Sequence, residues 1–306
     1  MKINADPSTK THLKAVFLAL FVTILWSTSW VLIKIGLQAS IPPVTFAGLR
    51  YTLAFLCLLP FVLFNTSHRE FIRNFSGSIW LQLVVLGIGL YTITMAAQYI
   101  GLSYLPSATV SLLLNFSPIF VALPSGFINK ERTSFLQWGG IILTVLGAIV
   151  YFFPLSIPAG QTFGLVVVII GVLSNAGSSL LGRKVNLKSG LPAILITTIS
   201  MGFGGLLLLL FGATTQGFGP IDAKQWMIIS WLAIVNTAFA FTLWNKTLQS
   251  LTAVESSIIN GTMLPQIAIL AWIFLGESLN AKQIIGLSLV AIGIIIVQIR
   301  RGKRDS

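Results

Sequence analysis

Two long stretches of this chain carry no charge at all. From Asn74 to Asn129, and again from Thr133 to Gly182, there is no Asp, Glu, Lys or Arg. Each run is about twice the ~20 residues that cross a ~30 Å hydrocarbon layer as a helix. Each has a turn-forming break near its middle, Gly101 to Pro106 in the first and Pro154 to Gly160 in the second. Two membrane-crossing helices joined by a tight turn fit each run. Of the 306 residues only 8% are charged and 55% are hydrophobic, whereas an ordinary soluble domain is about 25% charged. A membrane β-barrel would alternate polar and apolar residues in ~10-residue segments. Stretches such as Leu206–Phe211 and Ile292–Val297 are apolar throughout, so the fold class expected is an all-α membrane protein.

Ten spans are expected, at 13–37, 44–65, 77–99, 106–128, 134–153, 161–183, 190–212, 224–248, 252–274 and 280–300. Basic residues favour the cytoplasmic side of a membrane protein. With the N-terminus inside, the basic residues of both tails fall on that side, and so do Arg69, Arg73, Lys130, Arg132, Arg183, Lys184, Lys188 and Lys246; Lys34, Lys224 and Lys282 fall outside. Residues 1–12 and 301–306 are then short cytoplasmic tails, and the first apolar stretch is a retained helix rather than a cleaved signal. The formal charge of +12 thus marks orientation. No basic stripe with interleaved aromatics points to nucleic acid.

The sequence also matches itself at an offset of 146 residues. Trp80 aligns with Trp226, Leu105 with Leu251, Ser111 with Ser257, Glu131 with Glu277, Gln137 with Gln283, Gly140 with Gly286 and Gly147 with Gly293. The repeats are 13–153 and 161–300. Five helices apiece is an odd number, so the second repeat enters the membrane from the opposite side. Two inverted five-helix halves around a central cavity are the expected architecture, which is typical of transporters that alternate access about a midplane site.

Several stretches resemble one family. Leu25–Gly36 ("LWSTSWVLIKIG") resembles the first-helix pattern of the drug/metabolite transporter superfamily, EamA-type branch, and Arg50 in "FAGLRYTLAFLCLLP" resembles the arginine early in its second helix. "SPIFVALPSGFINKE" and "LPQIAILAWIFLGESL" are similar to its proline-containing fourth and ninth helices, the latter ending in Gly-Glu, and "FTLWNKTLQSLTAVESS" to the join of its eighth and ninth. The resemblance runs from about residue 15 to 299. It implies a ten-helix exporter or exchanger of small metabolites in a bacterial inner membrane, amino acids first. A nucleotide-sugar or sugar-phosphate carrier of the same superfamily is the alternative. As in aromatic amino-acid exporters, helices one, three, four, six, eight and nine would line the cavity. Asn175 stands where the sixth helix often carries a tryptophan.

Polar groups inside spans are costly and need a reason. Asn115 with Pro118, and Asn260 with Pro265, sit at similar depth in spans four and nine. A proline there frees a carbonyl and breaks the helix, giving either half-broken helices at a substrate site or kinks needed for packing. Trp26 and Trp30, and Tyr91, Met95 and Gln98, form stripes at helical spacing on spans one and three; such faces either stack a solute or pack the bundle. Asn175, Ser178, Asn236 and Phe239 are further binding candidates on spans six and eight. Arg50 is either an anchor snorkelling to the interface or a partner for a substrate carboxylate. Glu255, the one carboxylate placed inside a span, is either a coupling group or a partner of Lys246. Glu131 and Glu277 fit helix capping, as do the pairs Ser134 with Gln137 and Asn280 with Gln283. The glycine faces of spans five and ten suit close helix contact, between the halves or between two copies in a homodimer.

No cofactor or metal is implied. Cys57 is the lone cysteine, and His12 and His68 lie in polar flanks. A membrane enzyme would need a nucleophile with its base, paired carboxylates or a metal cluster, and none is arranged here. A small-molecule substrate and the lipid bilayer are the partners expected.

Overall fold

A computed structural model of the chain describes residues 7–39, 41–117, 119–120, 135–153, 159–188, 190–247, 251 and 259–298. All regular structure among them is helical. The first half contains α1 (Pro7–Gln38), α2 (Pro43–Leu63), α3 (Thr66–Arg73), α4 (Gly77–Gly87), the π-helical turn π1 (Ile88–Thr94), α5 (Met95–Tyr104), α6 (Ser107–Leu114) and α7 (Phe135–Phe152). The second contains α8 (Ala159–Lys188), α9 (Ala193–Thr215), α10 (Ala223–Ala233), the second π-helical turn π2 (Ile234–Phe239), α11 (Ala240–Thr247), α12 (Met263–Leu275) and α13 (Ala281–Gln298). Six stretches are long and apolar enough to cross a membrane: His12–Gln38, Pro43–Leu63, Gly77–Tyr104, Gly160–Gly182, Ala193–Thr215 and Ala223–Trp244. Shorter apolar helices cover Trp138–Phe152, Ile259–Leu275 and Ala281–Ile296. The chain is therefore an all-helical integral membrane protein.

Local chemistry sets the ends. Prolines open α1 and α2, where a missing N–H costs nothing. Asp222 and Gln225 form a reciprocal capping box at α10, with both bonds 2.8 Å, and Asn280 and Gln283 form another at α13. The capping spacing at 280–283 was visible in the sequence; its counterpart at Ser134 lies outside the described residues. The sequence does not announce α3. It starts where Asn65 Oδ1 accepts from the His68 N–H, and it buries none of its residues. The third span runs on to Tyr104 before extended Leu105 and Pro106 stop it. Span six extends to Lys188, 30 residues in all, or ~45 Å at 1.5 Å per residue, so its ends stand clear of the hydrocarbon.

The helices pack in pairs related by exchange of the halves. α1 lies against α11 and α12, while α8 lies against α5 and α6; α2 meets α10 and π2, while α9 meets α4 and π1. Two further pairs join corresponding helices directly, α2 with α9 and α7 with α13. In the second of these, a Cβ added at Gly147 would lie 2.8 Å from the Gly286 carbonyl oxygen, and one at Gly286 would lie 2.7 Å from the Tyr151 nitrogen. Backbones touch there, which only glycine allows. The glycine faces of spans five and ten therefore cover each other inside one chain, the first of the two contacts expected of them.

One apolar cluster draws on both halves, from Trp30, Phe46, Tyr51, Tyr91 and Tyr99 to Val168, Met201, Leu208, Ile229 and Ile267. Large apolar side chains also cover the outside, among them Phe17, Leu81, Ile142, Phe163, Leu210, Met227 and Trp272. Polar ones, including Ser27, Arg50, Thr94, Thr198, Asn236 and Thr237, are buried. Lipid as solvent favours that arrangement.

Candidate functional site

The buried polar groups gather around two irregularities in the backbone. π1 begins at Ile88 and π2 at Ile234, the same 146 residues apart as the matched sequence positions. A π turn shifts the bonding from i−4 to i−5 and leaves room for side chains to bond the carbonyls it displaces. In π1 the Gly89 carbonyl accepts from Thr94 Oγ1 and from Ser174 Oγ on α8, both at 2.8 Å. In π2 the Leu232 carbonyl accepts from Thr237 Oγ1, also at 2.8 Å. Breaks also recur at matched positions in spans four and nine. α6 ends at Leu114 in a turn at Asn115 and Phe116, and a turn at Thr262 precedes α12.

Arg50 is turned into this region. Gly48, two residues earlier, lets the α9 backbone at Leu209 approach α2, so Arg50, about 200° round the helix, faces α5 and π2. It is 5% exposed. Its Nε–H donates to Thr237 Oγ1 at 2.9 Å, an Nη1–H donates to the Tyr99 hydroxyl at 3.3 Å, and the guanidinium lies 5.2 Å from the centre of the Tyr51 ring. No carboxylate pairs with it among the described residues. Snorkelling to the interface, one of the two sequence expectations, does not occur, because packing of α2 on α9 directs the side chain inward. Around it Tyr51 donates to Met95 Sδ at 2.8 Å and its ring meets that of Tyr91 at 5.5 Å. Two of the span-three candidates, Met95 and Tyr91, thus pack on Tyr51, the neighbour of Arg50. Gln98 is half-buried.

Asn236, next to Thr237 in π2, bridges to α1. Its Nδ2 donates to the Leu25 carbonyl and, at 3.1 Å, to Thr28 Oγ1. The Leu25 oxygen can only accept, so the amide nitrogen must face it. The amide oxygen then points away and, fully buried, has no partner among the described residues. On the same helix Trp30 is buried, while Trp26 packs against Phe241 and Trp244, both ring centres 5.2 Å away. Ser27 donates to Gln266 Oε1 at 2.9 Å, and Gln266 donates to Thr262 Oγ1 at 3.0 Å. These bonds tie α1 to the start of α12.

Span four joins α8 in a matching way. Asn115 Nδ2 donates to the Ser111 carbonyl at 2.7 Å, closing the end of α6 on itself. Asn175 Nδ2 donates to Ser117 Oγ at 3.1 Å. Ser178 is buried against Gly89, where any Cβ would collide with its hydroxyl. Asn260 and Pro265 are exposed. Pro265 sits in the first turn of α12, so the break lies before it, at Thr262. Phe239 is half exposed, as are Trp231 and Ile234. An α-helical phase places it beside Asn236, but the extra residue of π2 turns it away. Pro118 and Glu255 lie outside the described residues.

Sequence reasoning overlooked Thr237, Tyr99, Tyr51 and Gln266. Hydroxyl residues are common in apolar helices and carry no signal of their own; the Gln266 amide beside Pro265 was the one legible clue. Glu277 was expected to cap its own helix. It instead accepts from the Ser107 N–H at 2.7 Å and Ser107 Oγ at 3.0 Å, at the start of α6 in the other half.

Residues 13–153 and 162–299 each match the model of the EamA-like transporter family. An uncharacterized transporter of Bacillus subtilis is 29% identical over 95% of this chain and 92% of its own length. A probable amino-acid metabolite efflux pump of Salmonella typhimurium is 25% identical, covering 95% and 98%. An S-adenosylmethionine/S-adenosylhomocysteine transporter of Chlamydia trachomatis is 25% identical, covering 91% and 87%. A crystal structure with 16% sequence identity superposes with a TM-score of 0.64 over 93% of this chain and 97% of that one, a likeness of fold.

Proposed function

The chain belongs to the EamA-like transporter family, and from that premise we propose that it moves a small zwitterionic metabolite, an amino acid or a derivative of one, by alternating access between two inverted five-helix halves. Net export across a bacterial inner membrane, with both termini in the cytoplasm, is part of the reading. Transport as such follows from the family and from relatives named as transporters.

The observation that carries the substrate class is the pair formed by Arg50 and Asn236. A buried guanidinium without a carboxylate offers a planar fork for a carboxylate. A buried amide oxygen without a donor offers a place for an ammonium. The two groups sit on or against consecutive residues of π2, where α1, α2 and α5 converge. An α-amino acid carries the complementary charged groups on one carbon. Trp30, Tyr91, Met95, Asn115, Asn175 and Ser178 belong to the surrounding wall in this reading, and Trp26 and Gln98 to its margin. Two relatives support the reading: one is named as a probable amino-acid metabolite efflux pump, the other as a transporter of S-adenosylmethionine, which carries an α-amino acid head.

A nucleotide sugar or sugar phosphate would call for several buried cations to meet its phosphates. Arg50 is the one cation classed as buried among the described residues. Counterflow in proteoliposomes separates the readings. Labelled amino acids and S-adenosylmethionine should exchange, and Asn236→Ala should weaken uptake of the zwitterions by about tenfold, the loss of one charge-assisted hydrogen bond. Exchange of nucleotide sugars with no exchange of zwitterions would overturn the assignment.

A further inference from the structure

At the end of the bundle where α5 turns into α6, two opposite charges grip the two sides of one turn. Lys34 on α1 donates to the Leu102 and Leu105 carbonyls, each at 2.6 Å, filling acceptors that the C-terminus of α5 leaves open. Two residues on, Glu277 takes the first N–H and the hydroxyl of α6 at Ser107. Each charge opposes the helix dipole end it faces. Gly276 aims the carboxylate: its φ of +66° reverses the chain after α12, a conformation that side-chain-bearing residues rarely adopt. The helix that follows Glu277 has its own box at Asn280 and Gln283, so Glu277 is spare for contact elsewhere.

Lys34, Leu105 and Ser107 belong to the first half and Glu277 to the second. We infer that Glu277 is the latch that holds this face of the transporter closed, with Lys34 fixing the turn it grips. The inference rests on alternating access between the halves: opening this face, the outer one in the orientation given by the basic residues, must part Glu277 from Ser107. Other bonds across the halves at the same end, from Gln225 to the Ala39 carbonyl and from the Val44 N–H to Gln216, involve uncharged groups. Among the described residues Glu277 is the charged member of the set, and its two bonds break together.

The test uses the full chain in proteoliposomes with Cys57→Ser as background. In one arm Ser107→Cys and Glu277→Cys are combined and bridged by a short bifunctional methanethiosulfonate that spans the reach of the native glutamate side chain, and counterflow of labelled amino acids is measured before linking, after linking and after reduction. The linked peptide should form and stop exchange, and reductant should restore it. In the other arm a single cysteine from Asn115→Cys is labelled from outside with an impermeant maleimide, with and without Glu277→Gln. The carboxamide should raise the labelling rate roughly tenfold, the weight of one charge-assisted bond. A linked protein that exchanges at the unlinked rate, a pair that never links, or labelling indifferent to Glu277→Gln would overturn the latch. Wild-type protein that exchanges no solute would overturn the transport reading instead, and the labelling arm would still decide the latch.

Discussion

Replacing Thr237 by valine removes the hydroxyl that serves both Arg50 and the displaced Leu232 carbonyl. The guanidinium then keeps its bond to Tyr99 but has a buried Nε–H without an acceptor. A hydrogen bond to a charged group contributes about 1.5–3 kcal/mol. Thr237→Val should therefore destabilise the protein by roughly 1.5–3 kcal/mol. Arg50→Met behaves differently, because it removes the buried charge together with its desolvation. Such replacements are near neutral or stabilising, so a change within about 1 kcal/mol is expected. In the double variant the valine no longer faces an unpaired cation. The coupling in the cycle should be about 1.5–3 kcal/mol. Thermal unfolding in detergent reads this, with about 2–4 °C per kcal/mol as the scale for domains somewhat smaller than this chain. Counterflow on the same samples supplies the second axis: Arg50→Met should stay folded and lose zwitterion exchange. Strictly additive effects on unfolding would refute the bond network, and full exchange by Arg50→Met would refute the role of the charge in binding.

Gly286→Val should abolish the monodisperse species in size-exclusion chromatography, since the added carbons meet the backbone of Gly147 and Tyr151 and overpacking costs about 1–3 kcal/mol even where side chains can yield. Asn280→Ala should cost about 1 kcal/mol in detergent unfolding, the usual loss for a helix cap, and leave counterflow unchanged; reduced exchange would show that the α13 start does more than cap. Deleting Val235 should convert π2 to α-helical phase, leaving a folded protein by circular dichroism that has lost exchange, because Asn236 and Thr237 then face different neighbours.

The membrane helices were legible because charge is excluded from long stretches, a pattern set by the solvent rather than by local packing. The offset that aligns Glu131 with Glu277 also places the two π turns at matched positions, yet nothing in "GIGLYTIT" or "AIVNTAF" distinguishes π from α bonding. Phe239 and Asn236 were both candidates on span eight; Asn236 is fully buried, whereas Phe239 is half exposed. Arg50 was visible as a charge in a span, but its direction depends on Gly48 meeting Leu209 across 161 positions of sequence. Glu277 could be read only against its own helix, because its partner at Ser107 is 170 residues away.

The glycine seams also bear on how such a chain is made. α2 closes on α9 and α7 closes on α13, so each partner is synthesised long after the helix that awaits it. During that interval the early helices must wait in lipid for the helices that will cover their small-residue faces. Assembly should therefore be a late, concerted zipping of the whole polypeptide, and two separately translated portions should be able to find each other and do the same.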